Sequence, residues 1–179
     1  MLEERGKEIV NVSHTDNPMA LGYRAAATTY VKSRYELIDA AKKDGIDLSP
    51  YTKALQIKSN TENANKIKAM MPEEELGNVE KFFARTLGIP GALAPFEGGV
   101  VEAAPDYGVV EFHYCPLVKA WQDLGLPNEE IGDLCLSAMN GDVIMANELG
   151  FDLDIQKTIG CGHDCCRMVY TLKKPEAEK

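Results

Sequence analysis

The chemistry available to this chain is concentrated in its last third, where all five cysteines fall, at positions 115, 135, 161, 165 and 166. An odd number of thiols with no Cys-x-x-Cys pair argues against a disulfide framework and a thiol-redox protein. Buried thiols, metal ligands or a reactive thiolate remain. Cys115 precedes Pro116 at an expected strand-to-helix junction, where the unpaired amides of a helix start favour an anion and depress a thiol pKa. The plain alternative is a small buried residue. Cys135 lies on the apolar stripe of the next expected helix, and Asp142, seven residues on, shares that face. An inward carboxylate is costly unless it has a purpose. If that helix ends near Gly141, Asp142 is instead a solvated cap. The run Gly160-Cys161-Gly162-His163-Asp164-Cys165-Cys166 packs three thiols, an imidazole and a carboxylate into one expected turn, in which Cys161 looks exposed. Zinc would take four ligands, with Cys115 and Cys135 joining a pair from the turn, a spacing unlike that of zinc fingers. The alternative is a polar turn with incidental thiols.

These groups must be positioned by two different halves. Asn17-Pro18 reads as a cap and first helical residue, and apolar positions from Ala26 to Ala41 recur at three- and four-residue spacing until Asp44-Gly45 stops the helix. Ser49-Pro50 starts a second helix, weakened by Ser59, Asn60, Asn63 and Asn65 and ended by Pro72. A short third helix carries Leu76, Val79, Phe82, Phe83 and Leu87. Residues 89–106 are rich in Pro, Gly and Ala and read as a linker or pocket loop, with residues 100–103 a short edge strand. Beyond them, residues 108–114 read as a strand, Cys115-Pro116 opens a helix closed by Gly125, and Asn128 caps another. Residues 151–159 and 167–172 make an antiparallel hairpin. The expected fold is therefore α+β in a single domain over 1–179. A mainly helical part (1–88) packs on a small antiparallel sheet with two helices (100–173).

Composition excludes several function classes. The 179 residues carry 28 acidic against 19 basic side chains, a net charge of -9, which repels nucleic acid and anionic membrane surfaces. No apolar run is long enough to cross a bilayer, and the charged start lacks a signal peptide's apolar core, so a cytoplasmic protein is expected. The expected partner is a small-molecule substrate, with a homo-oligomer left open.

The combination Phe112-His113-Tyr114-Cys115-Pro116-Leu117, Ala120-Trp121, Leu124-Gly125, Leu134-Cys135, Gly141-Asp142, Thr158-Ile159 and Gly162-His163-Asp164-Cys165-Cys166 resembles the L-2-amino-thiazoline-4-carboxylic acid hydrolase family. The match is closest over residues 108–170. It pairs Cys115, Cys135 and Cys166 with the family's three cysteines, and departs from the pattern at His163 and at the extra Cys161 and Cys165. A more distant, fold-level likeness is to the vinyl-4-reductase-like small-molecule-binding domain, some members of which hold zinc through cysteines. The resemblance implies a hydrolase that adds water to the amidine-like carbon of a carboxylated heterocycle and releases sulfur as a thiolate. His163 with Asp142 or Asp164 would move the proton, and Cys115 would attack as nucleophile. Alternatively Cys115, Cys135 and Cys166 would hold zinc, which removes Cys115 as nucleophile. Trp121 and His113 are the expected substrate contacts, and Arg24, Arg34, Arg85 or Arg167 would meet the carboxylate. The rival reading is a ligand-sensing domain whose cysteines hold a structural metal.

Overall fold

A computed structural model describes residues 6–174. Five α-helices and four strands follow in the order α1 (Pro18–Lys43), α2 (Ser49–Met70), α3 (Val79–Arg85), β1 (Gly99–Ala104), β2 (Tyr107–Phe112), α4 (Pro116–Asp123), α5 (Asn128–Glu148), β3 (Phe151–Lys157) and β4 (Cys166–Leu172). The fold class is α+β as the sequence predicts. Asn17 starts α1 by accepting the N–H groups of Met19 and Ala20 at 2.9 and 3.3 Å, with Pro18 in the first turn. The second helix runs unbroken through its four polar residues. Docking on α5 supports it there: Gln56 donates to the Ser137 carbonyl at 2.8 Å. Leu76 stays outside α3 and is exposed.

The strands form one antiparallel sheet in the order β1-β2-β4-β3. The two hairpins are joined where β2 pairs with β4, a register that sets Phe112 opposite Cys166. Residues 100–103 lie within the edge strand β1, which is kinked between Val100 and Glu102. The strand β2 ends at Phe112, two residues before the expected point, because the N–H groups of His113 and Tyr114 both turn to the Phe96 carbonyl, at 3.1 and 2.9 Å. Phe82 and Phe83 of α3 cover the sheet, with ring centroids 5.4 Å from Phe151 and 5.3 Å from Tyr170 respectively. Gly108 permits this approach, since a Cβ there would lie 2.6 Å from the Phe83 ring. Among the described residues no helix is long and apolar enough to cross a membrane.

The Pro/Gly-rich segment is a built element rather than a linker. A 3-10 turn at Ala94–Phe96 leads to Glu97, whose φ of 47° places a non-glycine residue in the left-handed region. Its carboxylate justifies that conformation by collecting donors. Arg24 reaches it at 3.0 Å, and the N–H groups of His14 and Thr15 at 2.8 and 3.0 Å. The Ser13 hydroxyl adds a fourth contact at 3.1 Å. The Arg24 guanidinium is buried, donates to the Pro95 carbonyl at 2.6 Å, and lies 3.8 Å from the centroid of the Tyr114 ring. One ion pair thus joins α1, the loop, the N-terminal segment and the residue before Cys115.

Burial opposes ionisation of Glu97, but the His14 N–H, Arg24, the Thr15 N–H and Ser13 outweigh it and hold the carboxyl down at about 2, against an ordinary 4.5. A carboxyl depressed in the folded state stabilises fully above its unfolded pKa, and that contribution is lost as pH falls through the folded value. Urea denaturation should therefore show stability declining from about pH 4.5 toward pH 2. In Glu97→Gln that acid limb should flatten, and the variant should be less stable at pH 7 by roughly 3 kcal/mol, the scale for stranding a buried arginine.

Candidate functional site

Cys115 sits between β2 and α4, and its backbone is held from both sides by one side chain. Asn11 donates to the Cys115 carbonyl at 2.9 Å and accepts the Cys115 N–H at 2.9 Å. The Phe112–Cys166 pairing brings the start of β4 to the same end of the sheet. The helix α5 supplies Cys135, whose Cβ lies so close to the chain at Gly160 that a Cβ there would fall 2.4 Å away. Cys115, Cys135 and Cys166 consequently share one apolar cluster with Val118, Trp121, Ile131 and Ile159. Cys166 Sγ accepts the Ile159 N–H at 3.4 Å. Cys161, expected to be exposed, is buried, because the 3-10 turn at Ile159–Cys161 folds inward onto α5. Gly132 packs against it.

Burial dominates the electrostatics of these thiols. It raises Cys115 above its ordinary value, the N–H groups of Val118 and Leu117 pull it down, and Asp142 raises it further. The helix start acts in the direction the sequence implies, yet desolvation outweighs it, so the resting form is the neutral thiol. Cys135 is pushed up to about 12 by burial, then by Cys115, with the Thr158 hydroxyl and the Gly160 N–H partly offsetting. Cys166 is raised well above the ordinary range by burial, then by Cys115. Among the described residues no three His, Cys, Asp or Glu side chains are disposed to hold one metal ion. Cys115, Cys135 and Cys166 therefore do not form such a group, and among the described residues the expected zinc ligands do not fit the metal.

Asp142 is a carboxyl that burial pushes up rather than one that a partner holds down. Its helix continues to Glu148, so it is not a terminal cap but a mid-helix, half-buried carboxyl on the stripe of Cys135. Among the described residues it has no ion-pair partner. Burial pushes its pKa up from 3.8 to about 6, against the pull of its own backbone N–H. Its charge acts on both the Cys115 thiol and the buried Tyr170 hydroxyl. The other predicted groups differ in their surroundings. His163 closes the turn, with Nδ1 3.0 Å from the Thr158 carbonyl oxygen and 3.3 Å from its nitrogen. Asp164 is exposed and paired with Lys157 at 3.0 Å. His113 is exposed, 3.7 Å from Glu111. Trp121 is buried in the thiol cluster and also lines a groove between α1 and α2.

Two positioning groups escaped the sequence reading. Asn11 carries no local signal of its role. Glu97 carries a faint one, a charged residue between Pro95 and Gly98. Of the four arginines considered for a substrate carboxylate, Arg24 is committed to Glu97, Arg85 to Glu75 and Arg167 to Glu111. Among the described residues, Arg34 has only a contact to the Tyr30 hydroxyl oxygen at 3.3 Å.

The sequence pattern of the L-2-amino-thiazoline-4-carboxylic acid hydrolase family matches residues 23–170. No curated protein matches the chain. Among solved structures, the chain is similar to a trafficking protein particle complex subunit 3 from Naegleria fowleri covalently bound to palmitic acid. The identity is 14% over 87% of this chain and 99% of that one, with a TM-score of 0.53, a likeness of fold.

A carboxyl raised in the folded state favours the native form below its unfolded pKa, and that contribution is lost as pH rises through the folded value. Asp142 therefore costs stability above about pH 6. Asp142→Asn should be more stable than the parent at pH 7.5 by about 1–3 kcal/mol, with the difference vanishing near pH 4. Denaturant titrations at the two pH values check this. Equal stability at both would mean that the carboxylate is well solvated.

Proposed function

The chain belongs to the L-2-amino-thiazoline-4-carboxylic acid hydrolase family, and on that premise we propose that it hydrolyses a small carboxylated heterocycle of the 2-amino-thiazoline type, with Cys115 as nucleophile and Asp142 as its acid–base partner. The observation that carries this reading is the unpaired Asp142 carboxylate, at about 6, acting on the Cys115 thiol. A group poised near neutrality takes and returns a proton within one cycle. A neutral thiol beside a base is activated when the proton moves, as in other base-assisted nucleophiles.

Asp142 takes the Cys115 proton while Sγ bonds to the amidine carbon of the ring. The ring carbon–sulfur bond then breaks, the departing sulfur receives the proton from Asp142, and an S-linked amidino group remains on Cys115. Water adds to that carbon, giving a proton to Asp142, and collapse expels Cys115, whose sulfur takes that proton back from Asp142, to leave an N-carbamoyl product with a free thiol. In this scheme Cys135 and Cys166 are the apolar floor beneath the nucleophile, Tyr170 borders the carboxylate, and His163 holds the turn. The raised thiol pKa keeps Cys115 unreactive until the proton is removed.

A second reading, a small-molecule-binding domain without turnover, draws on the groove beside Trp121. Turnover separates the two. With 2-amino-thiazoline-4-carboxylate as substrate and the released thiol as readout, Cys115→Ser and Asp142→Asn should each lower turnover by about a hundredfold or more, whereas Cys161→Ala should retain it. A fold-intact His163→Gln should also remain active. A hundredfold loss in that variant would move the proton shuttle to the histidine, and binding without thiol release by the parent chain would favour the second reading.

A further inference from the structure

The two longest helices bury very little. Only Ala20 and Arg24 of α1 and Ala64 of α2 are fully buried. Helix α1 packs on α4 and α2 on α5, so the space between the two long helices remains a groove of about 770 Å3. Leu117, Trp121, Leu134 and Ala138 from α4 and α5 form its apolar inner wall, and each also belongs to or packs against the thiol cluster. Arg34 and Lys53 also line the groove. Neither has a carboxylate partner among the described residues, in a chain of net charge -9 whose other described arginines are all in ion pairs.

We propose that this groove binds an organic carboxylate with an extended apolar or aromatic body, its carboxylate on Arg34 and its body against Trp121, Leu117 and Leu134. An arginine whose only hydrogen bond among the described residues is to a tyrosine hydroxyl presents further N–H donors in the planar arrangement that matches a carboxylate. Lys53 adds a second positive charge. Leaving an arginine unpaired among many acidic residues gives up surface ion pairing in exchange for an anion subsite. The groove's size suits a ligand considerably larger than a lone five-membered ring, within the range of pockets that enclose drug-sized molecules. The assignment is independent of turnover, since it requires no reaction at Cys115.

Trp121 is the single tryptophan, so its fluorescence reports occupancy of the groove directly. The full chain is titrated with 4-phenylbutyrate and with its uncharged amide, and calorimetry provides a second readout. The acid should bind saturably and about tenfold or more tighter than the amide, the scale of one charge-assisted contact. Arg34→Gln should erase that preference, Arg34→Lys should restore part of it, and Arg85→Gln should leave it unchanged. Equal binding of acid and amide to the parent chain, undiminished acid binding by Arg34→Gln, or no saturable response would overturn the proposal. If Arg34→Gln fails to fold, the comparison of acid with amide on the parent chain decides alone. Thiazoline turnover, measured on the same preparations, reports on Cys115 and Asp142 and leaves the binding result unaffected.

Discussion

The Arg24–Glu97 pair is the contact on which the arrangement of the site depends. Both side chains are largely withdrawn from water, so each charge is tolerable only because the other is present and because backbone and hydroxyl groups fill the remaining hydrogen-bonding positions. The pair holds Glu97 in a left-handed conformation and fixes the loop whose Phe96 carbonyl draws His113 and Tyr114 out of the sheet. That departure ends β2 short of Pro116 and turns Cys115 inward. The position of one sulfur is thus set by an ion pair formed from residues far from it in sequence.

Much of the architecture was legible because it rests on local patterns. The Asn17-Pro18 start, the apolar spacing of α5 and the closing hairpin each follow from periodicity and caps, and the structure agrees with all three. The convergence of Cys115, Cys135 and Cys166 was legible from the family likeness and from their expected places at a strand end, on an inward helix face and in a hairpin, whereas its closeness depends on the β2–β4 register and the approach of α5 to Gly160. What escaped was long-range. Asn11 meets Cys115 across 104 positions, and Thr15 meets Glu97 across 82. No window of sequence contains either pair. The inward placement of Cys161 escaped for a similar reason, because Gly162 and His163 look like an exposed turn until α5 is placed beneath them.

The choice among acids shows the same limit. Asp142 and Asp164 are the same residue type within the matched segment, yet one is pushed up by burial and the other held down by Lys157. Sequence lists the ionisable groups, but solvent and neighbours set their proton affinities. For Cys115 the local electrostatic cue was real and was outweighed, because desolvation of a thiolate exceeds what two amide groups at a helix start return.

The N-terminal segment has a consequence for the order of assembly. Residues 7–15 run from the turn at Gly162, past Gln122 and Cys115, to Glu97. It precedes in sequence every group it contacts, and the surfaces that receive it are completed only when β4 has joined β2. Its contacts have large sequence separations and bring little apolar burial apart from Ile9. Such a segment docks late and releases early, as a peripheral cooperative unit rather than part of the core. Until the segment docks, the cysteine cluster lacks its outer cover. In that interval the reactivity of Cys115 is governed by water and not by the folded protein.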